Sequence, residues 1–221
     1  MGVVARSVNR ITAIEQKKSN SNRVSVYVDG EYRLGCSAKL IHQHNLKVGG
    51  VLDEQQISRL EDAEGLSQAK AAALRLLGYS ARTVVDLTKR LQHKHKFAEH
   101  TIAEVVAWLI ERGYLDDTRY ARERLDYLLS TNKMGRVGLV AKLTSEGVHR
   151  ALAQEMVDGT VSAEQEEQWA RQLAAQRASR MQGKEWQKVK RSVHAYLRRR
   201  GFDGELIWAA IEAVEPDDDV D

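Results

Sequence analysis

A mainly α-helical chain is predicted, built as tandem three-helix repeats in an elongated, curved array behind a small β-rich N-terminal module. Three observations carry this prediction. Hydrophobic spacing changes from a period of two before Cys36 to about 3.6 beyond Gly65. The only proline in the 221 residues is Pro216, so nothing in between interrupts helices by that route. Glycines also punctuate the helical stretch at matching places in three successive segments of about fifty residues.

Taken in order, residues 10–17 read as a strand and Ser19-Asn20-Ser21-Asn22 as a polar turn. Val24, Val26 and Val28 then alternate, Asp29-Gly30 supplies the positive φ angles of a tight turn, and residues 31–35 return, making three short strands. Ser37 is placed to cap a short helix through His44, and Asp53 precedes a helix over residues 54–64 that Gly65 ends.

Beyond Gly65 come helices over residues 66–77 before Gly78, from a Ser80 cap to about Lys94, and from about Ala98 to Arg112 before Gly113. Asp117 caps a helix over residues 118–130, Gly135 precedes residues 136–146, and Gly147 turns the chain into residues 149–157, with Gly159 closing the triplet. Ser162-Ala163-Glu164-Gln165 has the form of a capping box for a helix to Met181, residues 184–200 follow Gly183, and Gly201-Phe202-Asp203 starts the last helix.

The triplets superpose. Middle helices end at Leu91, Leu143 and Leu197, spaced 52 and 54 apart and followed by Phe97, Val148 and Phe202. The pairs Ile102/Val106, Leu152/Met156 and Ile207/Ile211 repeat in the third helices. The expected domains are residues 1–65, repeats at 66–117, 118–161 and 162–214, and a disordered acidic tail at 215–221.

No apolar run is long enough for a membrane helix and the N-terminus has no signal-peptide core, so a cytoplasmic protein that does not engage membranes is expected. Cys36 is the only cysteine, which excludes an intrachain disulfide and a thiolate metal cage. His93, His95 and His100 lie beside Lys94 and Lys96, a setting that repels a dication, and no cofactor or metal is expected.

The net charge of +3 hides a strong asymmetry. Residues 171–200 hold ten Lys or Arg and one acid, Glu185, a net of +9. At 100° per residue Lys184, Lys188, Arg191 and Arg198 share a stripe, with Trp186, Val189, Val193 and Leu197 opposite and Arg199 and Arg200 extending the basic end. Repeat one offers Arg82, Lys89, Arg90 and Lys94. Repeat two offers Arg119, Arg122, Arg136 and Lys142, with Arg124 beside them.

Such faces match a phosphate backbone or an acidic protein groove. The third helices carry Glu104, Glu111, Glu155 and Glu212, which argues against a helix that reads the major groove. Trp186, Tyr196 and Trp208 are assigned to the core in preference to base-stacking platforms. Phosphate loops, nucleophile elbows and zinc-protease motifs are absent. Asp116-Asp117 is the one carboxylate pair suited to a divalent metal, and capping of a helix is the preferred reading.

The segment Gly113-Tyr114-Leu115-Asp116-Asp117-Thr118-Arg119-Tyr120-Ala121 resembles the RecX family of RecA regulators. Leu76-Leu77-Gly78-Tyr79-Ser80-Ala81-Arg82-Thr83 and Arg198-Arg199-Arg200-Gly201-Phe202 resemble its first and third repeats, while residues 10–36 resemble its β-rich extension. Lys96 stands where the family pattern has a glycine. The resemblance implies a non-enzymatic regulator, active in recombination, DNA repair and the SOS response. It would lie in the groove of the RecA filament on single-stranded DNA and lower ATPase, strand-exchange and coprotease activities. The expected partners are the RecA filament and single-stranded DNA, with double-stranded DNA as a further candidate, and a monomer is expected. A RecA-independent DNA-binding protein and a metal-dependent nuclease using Asp116 and Asp117 are the alternatives.

Overall fold

The computed structural model describes residues 9–17 and 20–215, and these form four strands and ten helices. The chain divides into two units, residues 1–80 with 88–112, and residues 81–87 with 113–221. Of the expected Ser19–Asn22 turn, Asn20 to Asn22 belong to a strand, and positions 18 and 19 lie outside the described residues, as does the acidic tail from Pro216.

In the first unit, strands β1 (Asn9–Lys17), β2 (Asn20–Val28), β3 (Glu31–Ser37) and β4 (Val51–Leu52) form an antiparallel sheet in the order β3-β2-β1-β4. Asp29 and Gly30, at φ 50° and 86°, make the two-residue turn that pairs Val28 with Glu31. The fourth strand escaped the sequence reading because only two residues pair, too few for an alternating pattern. Helix α1 (Ala38–Gln43) is capped as expected, Ser37 Oγ accepting the Leu40 N–H at 3.3 Å. Val24, Val26, Val28 and Leu34 from the sheet pack with Leu40, Ile57 and Leu60.

Helix α2 (Glu54–Tyr79) begins at the predicted Asp53, which forms a reciprocal capping box with Gln56. It does not stop at Gly65. A mid-helix glycine costs about 1 kcal/mol, and the turn beside it is held from outside. Buried Glu64 accepts the Ser37 N–H at 2.9 Å and the Gln68 amide at 2.6 Å, and pairs with Arg23 at 3.1 Å. The same helix therefore packs on the sheet and, further along, on α4 (Glu99–Glu111). Between them, α3 (Val84–His93) starts after Thr83, whose hydroxyl accepts the Asp86 N–H, and not at Ser80.

The second unit holds α5 (Asp117–Thr131), α6 (Arg136–Ser145), α7 (Arg150–Thr160), α8 (Ala163–Ser179), α9 (Trp186–Arg199) and α10 (Gly204–Glu212). Helix α7 runs through Gly159, and α8 ends two residues before Met181. Two cores result, one between α5, α6 and α7 and one between α8, α9 and α10, and Trp169 packs against both.

The repeat shows most plainly in one turn. Phe97 donates to the Leu91 carbonyl, Val148 to Leu143 and Phe202 to Leu197, each linkage folding the chain off the end of a middle helix. The residue before each apolar anchor is left-handed: Lys96 at φ 59°, Gly147 at 97° and Gly201 at 75°. Five residues past the anchors stand Ile102, Ala153 and Ile207, all buried. This shifts the sequence alignment by one in repeat two, where Ala153 and Val157, not Leu152 and Met156, are the buried pair.

Within this unit the middle helices α6 and α9 meet end to end. Gly135 and Gly138, at the start of α6, donate to the Arg200 and Gly201 carbonyls at the end of α9, both at 3.0 Å. At the other end of α6, the Glu146 carbonyl accepts the Thr83 hydroxyl at 2.9 Å, just before α3. At the α6–α9 contact amides from the start of one helix thus meet carbonyls from the end of the other, the positive end of one dipole facing the negative end of the other.

Lys96 alone of the three turn residues carries a Cβ at positive φ, so Lys96→Gly should raise the free energy of unfolding by about 1 kcal/mol, read by chemical denaturation. Gly201→Ala should do the reverse and far more strongly. Its Cβ would stand 2.1 Å from the Gly138 Cα, so loss of more than about 3 kcal/mol is expected in the same assay.

Candidate functional site

Some of the basic residues singled out in the sequence are held by internal acids, some donate to backbone carbonyls, and others lie at the surface. In repeat two most are held. Arg136 pairs with Asp158, while its backbone N–H donates to buried Glu166 at 2.7 Å, so it secures the start of α6. Lys142 pairs with Glu146 at 3.2 Å. Arg119 reaches back to the Gly113 carbonyl at 3.2 Å, and Arg122 lines a depression that also contains Asp126 and Glu155.

Glu146 is a junction that sequence reading did not find. Arg124 grips it with two bonds of 2.7 Å, and the Tyr120 hydroxyl donates at 3.3 Å. The Arg124 hydrogen bond, opposed by burial and aided by Lys142, holds the Glu146 carboxyl below the ordinary glutamate range. Burial and the adjacent Glu146 carboxylate push the Tyr120 phenol up. Only the i,i+4 spacing of Lys142 and Glu146 was visible along the chain; Arg124 is 22 residues away.

In repeat one, Arg82 pairs with Asp86 at 2.7 Å, and the side chains of Lys89 and Arg90 reach the surface of α3. Asp116 and Asp117 each cap a helix, in an unforeseen division. Asp116 accepts the Arg119 N–H at the start of α5, and Asp117, expected to do this, instead accepts the Val84 N–H at 2.9 Å at the start of α3. Burial leaves the Asp117 carboxyl above its ordinary value, offset in part by that bond. Among the described residues no three His, Cys, Asp or Glu side chains gather as a metal site. Cys36 is buried, and burial, with Glu64 nearby, pushes its thiol up to about 11, which makes it a poor nucleophile.

Repeat three differs. Val189, Val193 and Leu197 of α9 are buried in the core. On the other side Arg191, Arg198 and Arg199 are exposed with no carboxylate partner among the described residues, and Lys188 has only a solvent-exposed pair with Glu185 at 3.2 Å. Lys184 precedes the helix, so it is not part of the helical stripe as counted. Arg200 caps α9, lies over the Tyr196 ring and donates to the Lys133 carbonyl at 2.8 Å, serving the junction with α6.

One aromatic assignment is corrected. Trp208 is 47% exposed, because Ile207, Ala210 and Ile211 already supply the buried face of α10. Trp186 and Tyr196 are half-buried against the core.

Comparison with known proteins agrees with this architecture. The chain matches the regulatory protein RecX N-terminal domain over residues 9–53, the first RecX three-helix domain over 69–109 and the third over 164–211. It is 30% identical over 214 residues to the regulatory protein RecX of Clostridium acetobutylicum, covering 93% of this chain and 94% of that one. This chain belongs to the RecX family. The RecX of Clostridioides difficile is 27% identical, covering 89% of this chain and 92% of its own. Among solved structures, a crystal structure of regulatory protein RecX covers 93% of this chain and 99% of its own at TM-score 0.69 and 23% identity. RecX from Lactobacillus salivarius covers 68% of this chain and 96% of its own at TM-score 0.60 and 21% identity. Both support the fold. No helix among the described residues is long and apolar enough to cross a membrane.

Two outcomes test the assigned internal roles. The Glu146 carboxyl titrates lower folded than unfolded, so its stabilisation is present above the unfolded value and lost as pH falls through the folded one. Glu146→Gln should lower stability at neutral pH by about 1–3 kcal/mol and flatten the fall in melting temperature between about pH 7 and pH 3. Asp117→Asn keeps an acceptor for the Val84 N–H and should be tolerated, whereas Asp117→Ala should cost about 1 kcal/mol in a denaturation experiment.

Proposed function

We propose that this RecX family chain is a non-enzymatic regulator of the RecA recombinase. It binds in the groove of the RecA filament on single-stranded DNA and inhibits its ATPase, strand-exchange and coprotease activities, acting as a monomer in the cytoplasm. The observation that carries this reading is the face of α9, where three exposed arginines lack acidic partners among the described residues while the opposite side of the helix is core. A purely structural helix gains from Glu at i,i+4 to its cations; this one forgoes them.

The contacts proposed are unequal among the three repeats at residues 66–117, 118–161 and 162–214. Lys188, Arg191, Arg198 and Arg199 supply the main contact, Lys89 and Arg90 a second, and the repeat-two cations contribute least because internal acids already hold Arg136 and Lys142. Arg82 and Arg200 act mainly on local structure.

The double variant Lys188→Glu with Arg191→Glu changes only exposed positions and should fold. Its inhibition of RecA's DNA-dependent ATPase at low salt should weaken at least about ten-fold, and wild-type inhibition should fall steeply with added salt. Unchanged inhibition by the folded variant would remove α9 from the interface. Magnesium-dependent DNA cleavage lost on converting both Asp116 and Asp117 to Asn would favour the nuclease reading instead.

A further inference from the structure

Repeat three carries a second feature that the arginine stripe does not account for. Gln187, Lys190, Arg191, His194 and Trp208 line an open depression of about 300 Å³ between α9 and α10. The Lys190 Nζ stands 5.5 Å from the centre of the Trp208 ring, and the His194 ring lies 5.3 Å away at 45°. Nearly half of Trp208 remains exposed.

We propose that this depression is a base-stacking site for single-stranded nucleic acid, with one unpaired base against the Trp208 indole and its flanking phosphates on Lys190 and Arg191. This rests on reading α9 as a phosphate-facing helix, but does not require RecA. Three features favour that occupant. The indole is about half exposed at a position the core does not use, with the mobile Lys190 stem over it as the one group a base would move aside, and stacking on an aromatic ring is tolerant of base identity. The rest of the depression is lined by Gln187, Lys190, Arg191 and His194, with no carboxylate among them. Glu205 and Glu212, one turn to either side of Trp208 on α10, lie outside that lining, which leaves the phosphate path on the α9 side.

Other occupants use only half of the site. An apolar protein surface would have to desolvate Lys190 and Arg191 without replacing their water. An acidic peptide or duplex DNA would satisfy the cations and leave the indole idle, because bases in a duplex are already stacked. An unpaired nucleotide uses both parts at once.

The test uses the full chain without RecA at low salt, and follows by fluorescence anisotropy its binding to labelled oligothymidylate and to an abasic oligomer of equal length and charge. Wild type should prefer the base-bearing oligomer by about ten-fold. Trp208→Ala should bind both equally at the abasic level, and Trp208→Phe should keep part of the preference, which separates loss of stacking from loss of fold. A thermal melt confirms that each variant is folded. No preference in wild type, or a preference that survives in Trp208→Ala, overturns the proposal. So does a Trp208→Ala variant that keeps the base preference but, in a parallel assay of RecA's DNA-dependent ATPase, loses inhibition, since the ring would then be a protein contact. A base preference that depends on Trp208, in a protein without effect on RecA's ATPase, upholds the stacking site and removes the filament reading alone.

Discussion

Backbone amides at the start of α6 meet backbone carbonyls at the end of α9, and much of the second unit follows from that junction. Gly135 and Gly138 donate to Arg200 and Gly201 across a gap too narrow for a side chain on any of the three glycines. Arg200 is drawn into the same place by the Lys133 carbonyl, and Glu166 by the Arg136 amide. With one end of α9 committed to the junction and its apolar side to the core, its remaining arginines are turned to solvent. The surface chemistry of repeat three is thus set by how repeat two docks on it.

The fold was legible where local chemistry decides it. Asp29-Gly30, Ser37, Asp53 and Ser162 each did what their residue types predict, because turns and caps are settled within a few residues. Gly65 failed as a stop since Glu64 is anchored by Arg23, Ser37 and Gln68, the first two distant along the chain. The two-residue β4 and the one-residue shift in repeat two depend on tertiary pairing, which no local pattern encodes. Lys96 presented the opposite situation: the sequence lacked a glycine, and the backbone takes the glycine conformation regardless.

The candidate site was legible as charge and illegible as pairing. Counting cations gave repeat two four candidate contacts, yet Asp158 neutralises Arg136 from α7, and Glu146, at the end of α6 itself, neutralises Lys142. At 100° per residue Lys190 falls at the edge of the apolar side of α9, outside the basic stripe, and its ammonium sits over the Trp208 ring. Trp208 was assigned to the core on residue type alone. Ile207 and Ile211, at the spacing already recognised, were sufficient to fill that core, and this was the available signal that the tryptophan was surplus to it.

Helix α2 has a bearing on how the protein can be taken apart. Its 26 residues begin against the β-sheet and end against α4, so the border between the β-rich part and the first repeat falls within one rigid rod. A fragment cut at Gly65 would begin in mid-helix and strand Gln68 without its glutamate, and the excised sheet would lose the helix bearing Ile57 and Leu60 or keep it frayed. Exchange of this β-rich segment between relatives therefore calls for a splice beyond Tyr79, with the helix carried whole.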